Sequence, residues 1–252
     1  MRNLPAHFRR VLCLLLCSGL FAACGFDLRD DVDLTLNFAA LVGPSDELHS
    51  PYVKGARFNI FLDDSSPSGR IGSAWTLESE APAVFAISNV RVQEYEHDGK
   101  KRRYLQAAAA ALEQGQAAVL VRDDRGAEVF RTSVEVLRPD RIELLAHGPL
   151  LLERPEDQAV TREVQVLTGG TATFLARYYS GERRLYGNGT LGVATPTDGS
   201  VTAQVRQTFI FEDRDWLSIS ALREGPSQVL LLAAGEPVST VPVVGVAESA
   251  LA

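Results

Sequence analysis

A hairpin pattern that occurs twice, about 110 residues apart, constrains the fold of this chain more than any other feature. In residues 115–136, apolar residues alternate along two runs that flank the turn residues 123–126. Alternation with a period of two predicts strands, and Asp and Gly between the runs predict a tight turn. The pattern returns over residues 225–246, and Leu222 precedes it as Leu112 precedes the first copy. The sequence therefore predicts two domains of one architecture.

Most of the remaining chain consists of short apolar runs separated by turn residues. These runs predict strands at residues 33–39, 57–62, 75–77, 83–87, 141–145, 163–167, 171–178, 187–196, 201–211 and 216–222. The alanine run at 106–112 favours a helix by propensity, but it lies 110 residues before the strand pattern at 216–222, so we expect a strand there. Short strands with regularly spaced turns, twice over, predict an all-β fold of two tandem β-sandwich domains.

The domain bounds follow from the turn signals and the length. A chain of 252 residues is long enough for two domains, and we expect them at 31–140 and 141–252. All three cysteines lie within residues 1–24, so neither domain has a disulfide or a thiolate metal site. The fold must hold by burial and hydrogen bonding alone.

Residues 1–23 have the layout of a secretory signal peptide, with arginines followed by an apolar run at 11–23 that is short for a membrane span. The run ends in small residues before Cys24 and resembles the lipobox of bacterial lipoproteins, although Phe21 stands where that family usually has Leu. The resemblance implies lipidation of Cys24, with fatty acids such as palmitate, and a tether at 24–30. An ordinary signal peptide that happens to contain cysteines is the alternative.

Three segments, at 75–79, 82–87 and 112–121, resemble bacterial immunoglobulin-like domains of the group 2 kind, found in intimin- and invasin-type adhesins. The resemblance implies that Trp75 lies on a core strand. The second domain resembles this family more weakly, because no tryptophan stands two residues before Leu191. Such a likeness predicts the immunoglobulin-like fold rather than the role, since sandwiches of this type have many functions.

The charge of the chain argues against a nucleic acid partner. The formal charge is −7, and removal of residues 1–23, which carry three arginines and no acid, leaves −10. A polyanion would be repelled by that field.

The sequence contains no motif that indicates catalysis or a cofactor. Residues 187–192 match the glycine spacing of dinucleotide-binding loops, but residues 193–199 cannot start a helix, so we expect a loop of the β-structure. His49, His97 and His147 lie far apart without metal-ligand spacing, and we expect them at the surface. We therefore predict no enzyme activity, no catalytic residue, no metal ion and no cofactor.

Three groups of acids lie in turn-like contexts. The pairs at 63–64 and 123–124 suit either a calcium site at a domain edge or ordinary turns, and neither has the ligand order of a dedicated calcium loop. Asp213 and Asp215 flank Arg214, and we expect them to pair locally or to face solvent.

Aromatic and basic clusters are the remaining candidates for ligand contacts. Tyr178, Tyr179 and Tyr186, with Trp216, suit either a sugar-binding platform or packing at the core and its rim. Residues 100–103 are all basic and suit either contact with anionic lipid or a solvated hairpin tip.

The sequence thus favours a lipid-anchored protein of the bacterial cell envelope that acts in binding, adhesion, spacing or assembly without catalysis. We expect it in the outer membrane or on the cell surface rather than in the inner membrane. Its expected partners are the membrane, through the lipid on Cys24, and an envelope protein or polysaccharide. A carbohydrate-binding or hydrolytic accessory protein is the alternative. That alternative gains support if acids, a histidine and aromatic residues from different loops meet in one deep pocket.

Overall fold

The structure of the chain is a computed structural model. It describes residues 36–40, 48, 50–64, 71–97, 100–146, 158–160, 163–207 and 215–251. The predicted signal peptide, Cys24 and the tether lie outside the described residues. Within these ranges there are eighteen β-strands, one 3₁₀ turn at Glu248–Leu251 and no α-helix, so the predicted all-β class is confirmed. None of the described segments is a helix long and apolar enough to cross a bilayer.

The strands before Asp140 form two four-stranded sheets. They are β1 Leu36–Ala40, β2 Tyr52–Val53, β3 Arg57–Asp64, β4 Thr76–Ser79, β5 Phe85–His97, β6 Lys100–Ala111, β7 Gly115–Arg122 and β8 Glu128–Leu137. One sheet has the order β1-β3-β6-β5 and the other β2-β8-β7-β4. All neighbours are antiparallel except β2 and β8, which are parallel.

The strands after Asp140 form a second pair of sheets. They are β9 Arg141–Ala146, β10 Gln158–Ala159, β11 Val164–Leu167, β12 Thr171–Ser180, β13 Arg183–Leu185, β14 Leu191–Ala194, β15 Val201–Gln207, β16 Asp215–Ala221, β17 Gly225–Ala233 and β18 Glu236–Val246. One sheet has the order β10-β9-β12-β16-β15, and the short strand β13 pairs with β12 at its side. The other sheet has the order β11-β18-β17-β14.

Both halves have the strand order of an immunoglobulin sandwich. In the first half, β1-β3-β6-β5 corresponds to the A-B-E-D sheet of that fold, and β8-β7-β4 to its G-F-C sheet. In the second half, β9-β12-β16-β15 and β18-β17-β14 take the same places. Between the described strands of the two halves, an isolated bridge joins Tyr52 to Tyr186, and no ladder crosses Asp140. The predicted tandem immunoglobulin-like sandwiches are confirmed, and the residue bounds of the domains stay a prediction.

The alanine run is a strand, as the repeat predicts. Ala109 and Ala111 of β6 are buried and lie opposite Phe58 of β3 and Phe85 of β5. A small side chain in the central strand leaves room for the rings on either side of it. Packing in the sheet therefore overrides the helical propensity of alanine.

Aromatic side chains fill the interior of the first sandwich. Tyr52 of β2 packs across the sandwich onto Phe58 and Phe85, with ring centroids 4.6 and 5.6 Å apart. Its hydroxyl is buried without a hydrogen-bond partner, and burial raises the pKa of Tyr52. Trp75 is 6% exposed, which confirms its predicted place in the core. Buried apolar side chains of the two halves form one continuous cluster.

Candidate functional site

The three tyrosines predicted as possible ligand contacts lie at the end of the second half that meets the first. Tyr178 and Tyr179 are neighbours on β12, so their side chains point to opposite faces. Tyr178 is 1% exposed. Tyr179 and Tyr186 are half-buried, and the guanidinium carbons of Arg141 and Arg184 lie 4.5 and 5.1 Å from their respective ring centres. A ligand contact by these tyrosines stays a prediction, and the burial of Tyr178 lends it no support.

Asp215 is a fully buried carboxylate, in contrast to the expected solvent exposure, and Asp213 and Arg214 lie outside the described residues. Its Oδ1 accepts the N–H of Gly189 at 2.8 Å, and its Oδ2 accepts the N–H of Leu191 at 3.2 Å and the hydroxyl of Tyr178. These donors satisfy the carboxylate away from water. Burial raises the pKa of Tyr178 well above its ordinary value, and the charge on Asp215 raises it further, so the hydroxyl remains a donor.

Asp215 interrupts the internal repeat. β16 repeats β6 with an offset of 110 residues, so Asp215 stands where the first half has Leu105, a core residue that is also 0% exposed. The second half thus has a hydrogen-bonding side chain at a position where the first has an apolar one. That departure from the repeat is the sequence signal for this site.

The hydrogen bonds of Asp215 fix a loop that contacts the first half. We call residues 186–190 the junction loop and its contact with the first half the junction. Val53 donates its N–H to the carbonyl oxygen of Tyr186 at 2.8 Å, and Arg57 donates its N–H to that of Asn188 at 3.1 Å. The loop is therefore held by backbone hydrogen bonds of the kind that join strands in a sheet.

Thr190 connects three parts of the chain at the junction. It is 5% exposed. Its hydroxyl donates to the carbonyl oxygen of Lys54 at 2.8 Å and accepts the N–H of Ala234 at 2.9 Å. A buried hydroxyl with both functions satisfied stabilises one arrangement of the two halves, because any other would leave buried groups without partners.

Two glycines allow the close approach of the halves. Gly55 has a φ of +91°, and a Cβ there would lie 2.6 Å from Oγ1 of Thr190 and 2.9 Å from Cβ of Ala234. Gly187 has a φ of +111°, and a Cβ there would lie 2.4 Å from Cβ of Ala56. Both positions require glycine for the backbone conformation and for space.

Ion pairs surround the junction at its solvent-exposed rim. Arg138 lies 2.5 Å from Glu236, and Arg183 pairs with Glu135. The hydrogen bond from Arg183 lowers the pKa of Glu135. Exposed pairs of this kind contribute little to stability. We therefore assign the strength of the junction to its buried hydrogen bonds and apolar contacts.

Three of the four paired acids, Asp63, Asp123 and Asp124, accept hydrogen bonds that support local structure, and the side chain of Asp64 lies outside the described residues. Oδ2 of Asp63 accepts the hydroxyl of Tyr95 at 3.0 Å. Asp123 accepts two backbone N–H groups of its own turn at 2.9 Å, and Asp124 accepts the N–H of Ala74 at 2.8 Å. Among the residues that the structure describes, no three His, Cys, Asp or Glu side chains are grouped to hold a metal ion.

The glycine motif at 187–192 forms most of the junction loop and runs into β14. A strand follows this loop, as predicted, so the site has no helix N-terminus for a pyrophosphate.

The histidines and the basic cluster lie away from the junction or outside the described residues. His49, His147 and the side chain of His97 lie outside them. Residues 100–103 begin β6, at the end of the first half opposite the junction, and Arg103 lies 2.8 Å from Glu94. Lipid contact by the basic cluster stays a prediction.

An open groove of about 770 Å³ lies between β9 and β18 in the second half. It is lined by Arg141, Ile142, Glu143, Leu144, Val160, Glu163, Gln165, Ser239, Thr240, Val241 and Pro242. This lining has two glutamates but no histidine and no aromatic residue. The groove therefore does not bring together the residue types that would support the hydrolytic alternative.

Comparison with known proteins gives distant structural likeness only. No family model and no curated protein sequence matches the chain. Domains 4 and 5 of the S-layer protein SbsC match at 18% identity, with a TM-score of 0.28, over 69% of this chain and 78% of theirs. The Escherichia coli adhesin FdeC matches at 12% identity, with a TM-score of 0.33, over 84% of this chain and 63% of that structure. The Yersinia pseudotuberculosis adhesin InvE matches at 10% identity, with a TM-score of 0.31, over 83% of this chain and 58% of that structure.

The chain spans less than two thirds of the FdeC and InvE structures. At these identities and TM-scores, the likeness carries no inference about binding or assembly. The assignment of the immunoglobulin-like fold rests on the strand pairing of this chain.

Proposed function

We propose that this chain is a non-catalytic module of the bacterial cell envelope, anchored by a lipid on Cys24, whose two sandwiches act as one stiff unit for binding, spacing or assembly. The observation that carries the proposal is the junction. Its buried polar groups, Asp215 and Thr190, are hydrogen-bonded to the loop and to the first half. They are arranged to hold two domains together rather than to meet a substrate.

The position of the junction favours an elongated unit. Strand β6 ends at the junction and strand β16 begins there, so the halves meet at their ends. The central strands β6 of the first half and β12 of the second have 12 and 10 residues. At about 3.3 Å per residue, they give a combined length on the order of 70 Å. A stiff unit of that length suits a spacer that presents its outer end to an envelope protein or polysaccharide.

The sequence before the first sandwich supports the anchor. A multiply acylated cysteine after a signal peptide would hold the protein on a membrane without a spanning helix. We place the protein in the outer membrane or at the cell surface, with the membrane as its first partner.

The test of the anchor is Cys24→Ser in the full chain, expressed in a bacterium with lipoprotein processing. Fatty acid labelling should disappear, and the protein should move from the membrane to the soluble fraction. Cys17→Ser is the matched control and should leave both unchanged. Membrane fractionation that survives Cys24→Ser would contradict the anchor.

A carbohydrate-binding accessory role is the second candidate, and the contact of Arg141 with the ring of Tyr179 is the observation that favours it. Arg141 lines the groove and also lies over the ring of Tyr179, one of the predicted contacts. Calorimetric titration with soluble envelope polysaccharide should then show binding that Arg141→Ala weakens at least tenfold. The control Arg206→Ala, on β15, should retain it. No heat of binding to the unsubstituted protein would remove this candidate.

A further inference from the structure

The junction loop contains the one asparagine of this chain that a glycine follows, Asn188. The other four asparagines precede larger residues, and they are Asn3, Asn37, Asn59 and Asn89. The backbone nitrogen that follows an asparagine can attack the side-chain amide, and glycine hinders this attack least because it has no Cβ. Asn188 and Gly189 are therefore the pair in this sequence at which such an attack meets the least steric resistance.

The folded chain holds the peptide group between Asn188 and Gly189 at both ends. Its carbonyl oxygen accepts the N–H of Arg57, in the first half, at 3.1 Å. Its N–H donates to Oδ1 of Asp215, in the second half, at 2.8 Å. The two bonds restrain rotation of this peptide group. An attack by the nitrogen removes its hydrogen, so the reaction costs the bond to Asp215, which is 0% exposed and has no water to replace the donor.

The charge on Asp215 opposes the attack as well. The nitrogen of Gly189 gives up its proton as it attacks, and a carboxylate oxygen 2.8 Å away disfavours negative charge on that nitrogen. The closed junction therefore suppresses a reaction that the sequence of the loop favours.

We propose that Asn188 is a self-modification site, which converts to isoaspartate once the junction opens and then keeps the junction open. The nitrogen of Gly189 forms a bond to Cγ of Asn188, the bond from Cγ to Nδ2 breaks, and Nδ2 leaves as ammonia with the proton of the Gly189 N–H. Water then opens the five-membered imide at either carbonyl and gives aspartate or isoaspartate at position 188. Water is the co-reactant, and nothing is oxidised or reduced. The inference rests on the junction of the proposed stiff unit.

Isoaspartate does not fit the closed junction. It lengthens the backbone by one methylene group before Gly189, so the hydrogen bonds to Arg57 and Asp215 cannot both form again. A Cβ on the neighbouring Gly187 would lie 2.4 Å from Cβ of Ala56, so the loop has no space for a longer backbone. The freed carboxylate also adds a negative charge near the buried Asp215, which is unfavourable away from water.

The first test measures isoaspartate at position 188 in the chain without residues 1–24, by peptide mass mapping and isoaspartyl methyltransferase labelling. The chain unfolded in guanidinium chloride gives the unrestrained rate, and the folded chain at the same mildly alkaline pH should react at least tenfold more slowly. Asn89 is the internal reference, because it is exposed but precedes Val90 and should stay unmodified in both samples.

A matched pair of glycine variants connects the reaction to the junction. Gly55→Ala should raise the rate at position 188 at least threefold, since its Cβ would meet Thr190 and Ala234 and separate the halves. Gly126 has a φ of +77° with nothing within 4 Å of its Cβ position. Gly126→Ala therefore imposes similar backbone strain elsewhere and should leave the rate unchanged.

The second test follows the product. The chain without residues 1–24 has no cysteine, so Val53→Cys, at a position that is 0% exposed, reports opening of the junction by its rate of maleimide labelling. This variant is held unfolded until position 188 has converted, and is then refolded. Its thiol should react at least tenfold faster than in a chain that also carries Asn188→Gln and is treated identically, because glutamine cannot close the five-membered ring.

Three outcomes would overturn the inference: equal rates of isoaspartate formation in the folded and unfolded chains, a thiol that stays protected in the converted chain, or fast thiol labelling of Gly55→Ala without a rise in isoaspartate. If Val53→Cys is labelled slowly before conversion, these results leave the stiff unit standing. Fast labelling of the unconverted chain would contradict the stiff unit and this inference together. None of these results depends on the lipid anchor, since Cys24 is absent.

Discussion

Thr190 donates its hydroxyl to the carbonyl oxygen of Lys54, 136 residues earlier in the chain, at 2.8 Å. The bond joins the two halves at a position that is 5% exposed. A hydrogen bond shielded from water is sensitive to geometry, because neither partner can exchange it for a solvent molecule. The contact therefore supports one relative placement of the sandwiches rather than a flexible link.

Replacing Thr190 by Val should weaken the junction, because Val has the shape of Thr without its donor and acceptor. The carbonyl oxygen of Lys54 would lose its partner, at a cost of about 1–3 kcal/mol in the free energy of unfolding. Urea titration measures this loss. Thr202→Val is the control, since Thr202 is exposed on β15 and should change stability by less than about 0.5 kcal/mol. Similar losses in both variants would contradict a special role for Thr190.

Asp215→Leu should be strongly destabilising, although Leu is the residue at the equivalent position of the first half. The substitution leaves the hydroxyl of Tyr178 and the N–H groups of Gly189 and Leu191 without their acceptor, so we expect a loss of about 3 kcal/mol or more. Asp215→Asn keeps one acceptor and should cost less. If Asp215→Leu unfolds at the same urea concentration as the unsubstituted protein, the hydrogen bonds do not hold the loop.

Alkaline pH should destabilise the fold through two buried tyrosines. Burial raises the folded-state pKa of Tyr52 and Tyr178 above the ordinary value, so each favours the folded state fully below about pH 10. As pH rises above 10, the unfolded chain releases these protons first, and each group should remove about 1.4 kcal/mol per pH unit.

The free energy of unfolding between pH 9 and 11.5 checks this slope. Tyr52→Phe and Tyr178→Phe should each reduce the slope of the free energy of unfolding against pH by the contribution of one tyrosine, about 1.4 kcal/mol per pH unit. At pH 7, Tyr52→Phe should be neutral or slightly stabilising, because the hydroxyl has no partner to lose. A slope unchanged in both variants would contradict the assignment.

The internal repeat carried most of what could be predicted about the fold. It placed a strand at the alanine run against propensity, since buried residues in β6 and β16 recur with the same offset. The resemblance to bacterial immunoglobulin-like domains, not the repeat, placed Trp75 in the core, where it is 6% exposed. Such predictions succeed because alternating burial leaves a direct trace in the order of residues.

The candidate site was less accessible to sequence reasoning. Tyr178 and Asp215 are polar residues that occupy inward positions on their strands, and residue type alone favours the surface for both. Their burial depends on the N–H groups of Gly189 and Leu191, which come from another sheet and meet them only after folding. A comparison of Asp215 with Leu105 across the repeat would have indicated an inward acid in need of donors.

Trp75→Ala should cost about 3–5 kcal/mol, since the side chain is almost fully buried and nothing would fill the cavity. Guanidinium titration measures this loss. Trp216→Ala is the comparison, because Trp216 is half-buried and should cost less. A loss near zero for Trp75→Ala would place the ring outside the core and contradict the packing described above.

The stiffness of the junction is the claim on which the account rests, and residual dipolar couplings of the chain without residues 1–24 test it most directly. Backbone couplings from residues 50–137 and from residues 141–246 should fit a single alignment tensor, and Gly55→Ala should separate them into two tensors because its Cβ would meet Thr190 and Ala234. Different tensor magnitudes for the two halves of the unsubstituted protein would show that they move independently and would contradict the account.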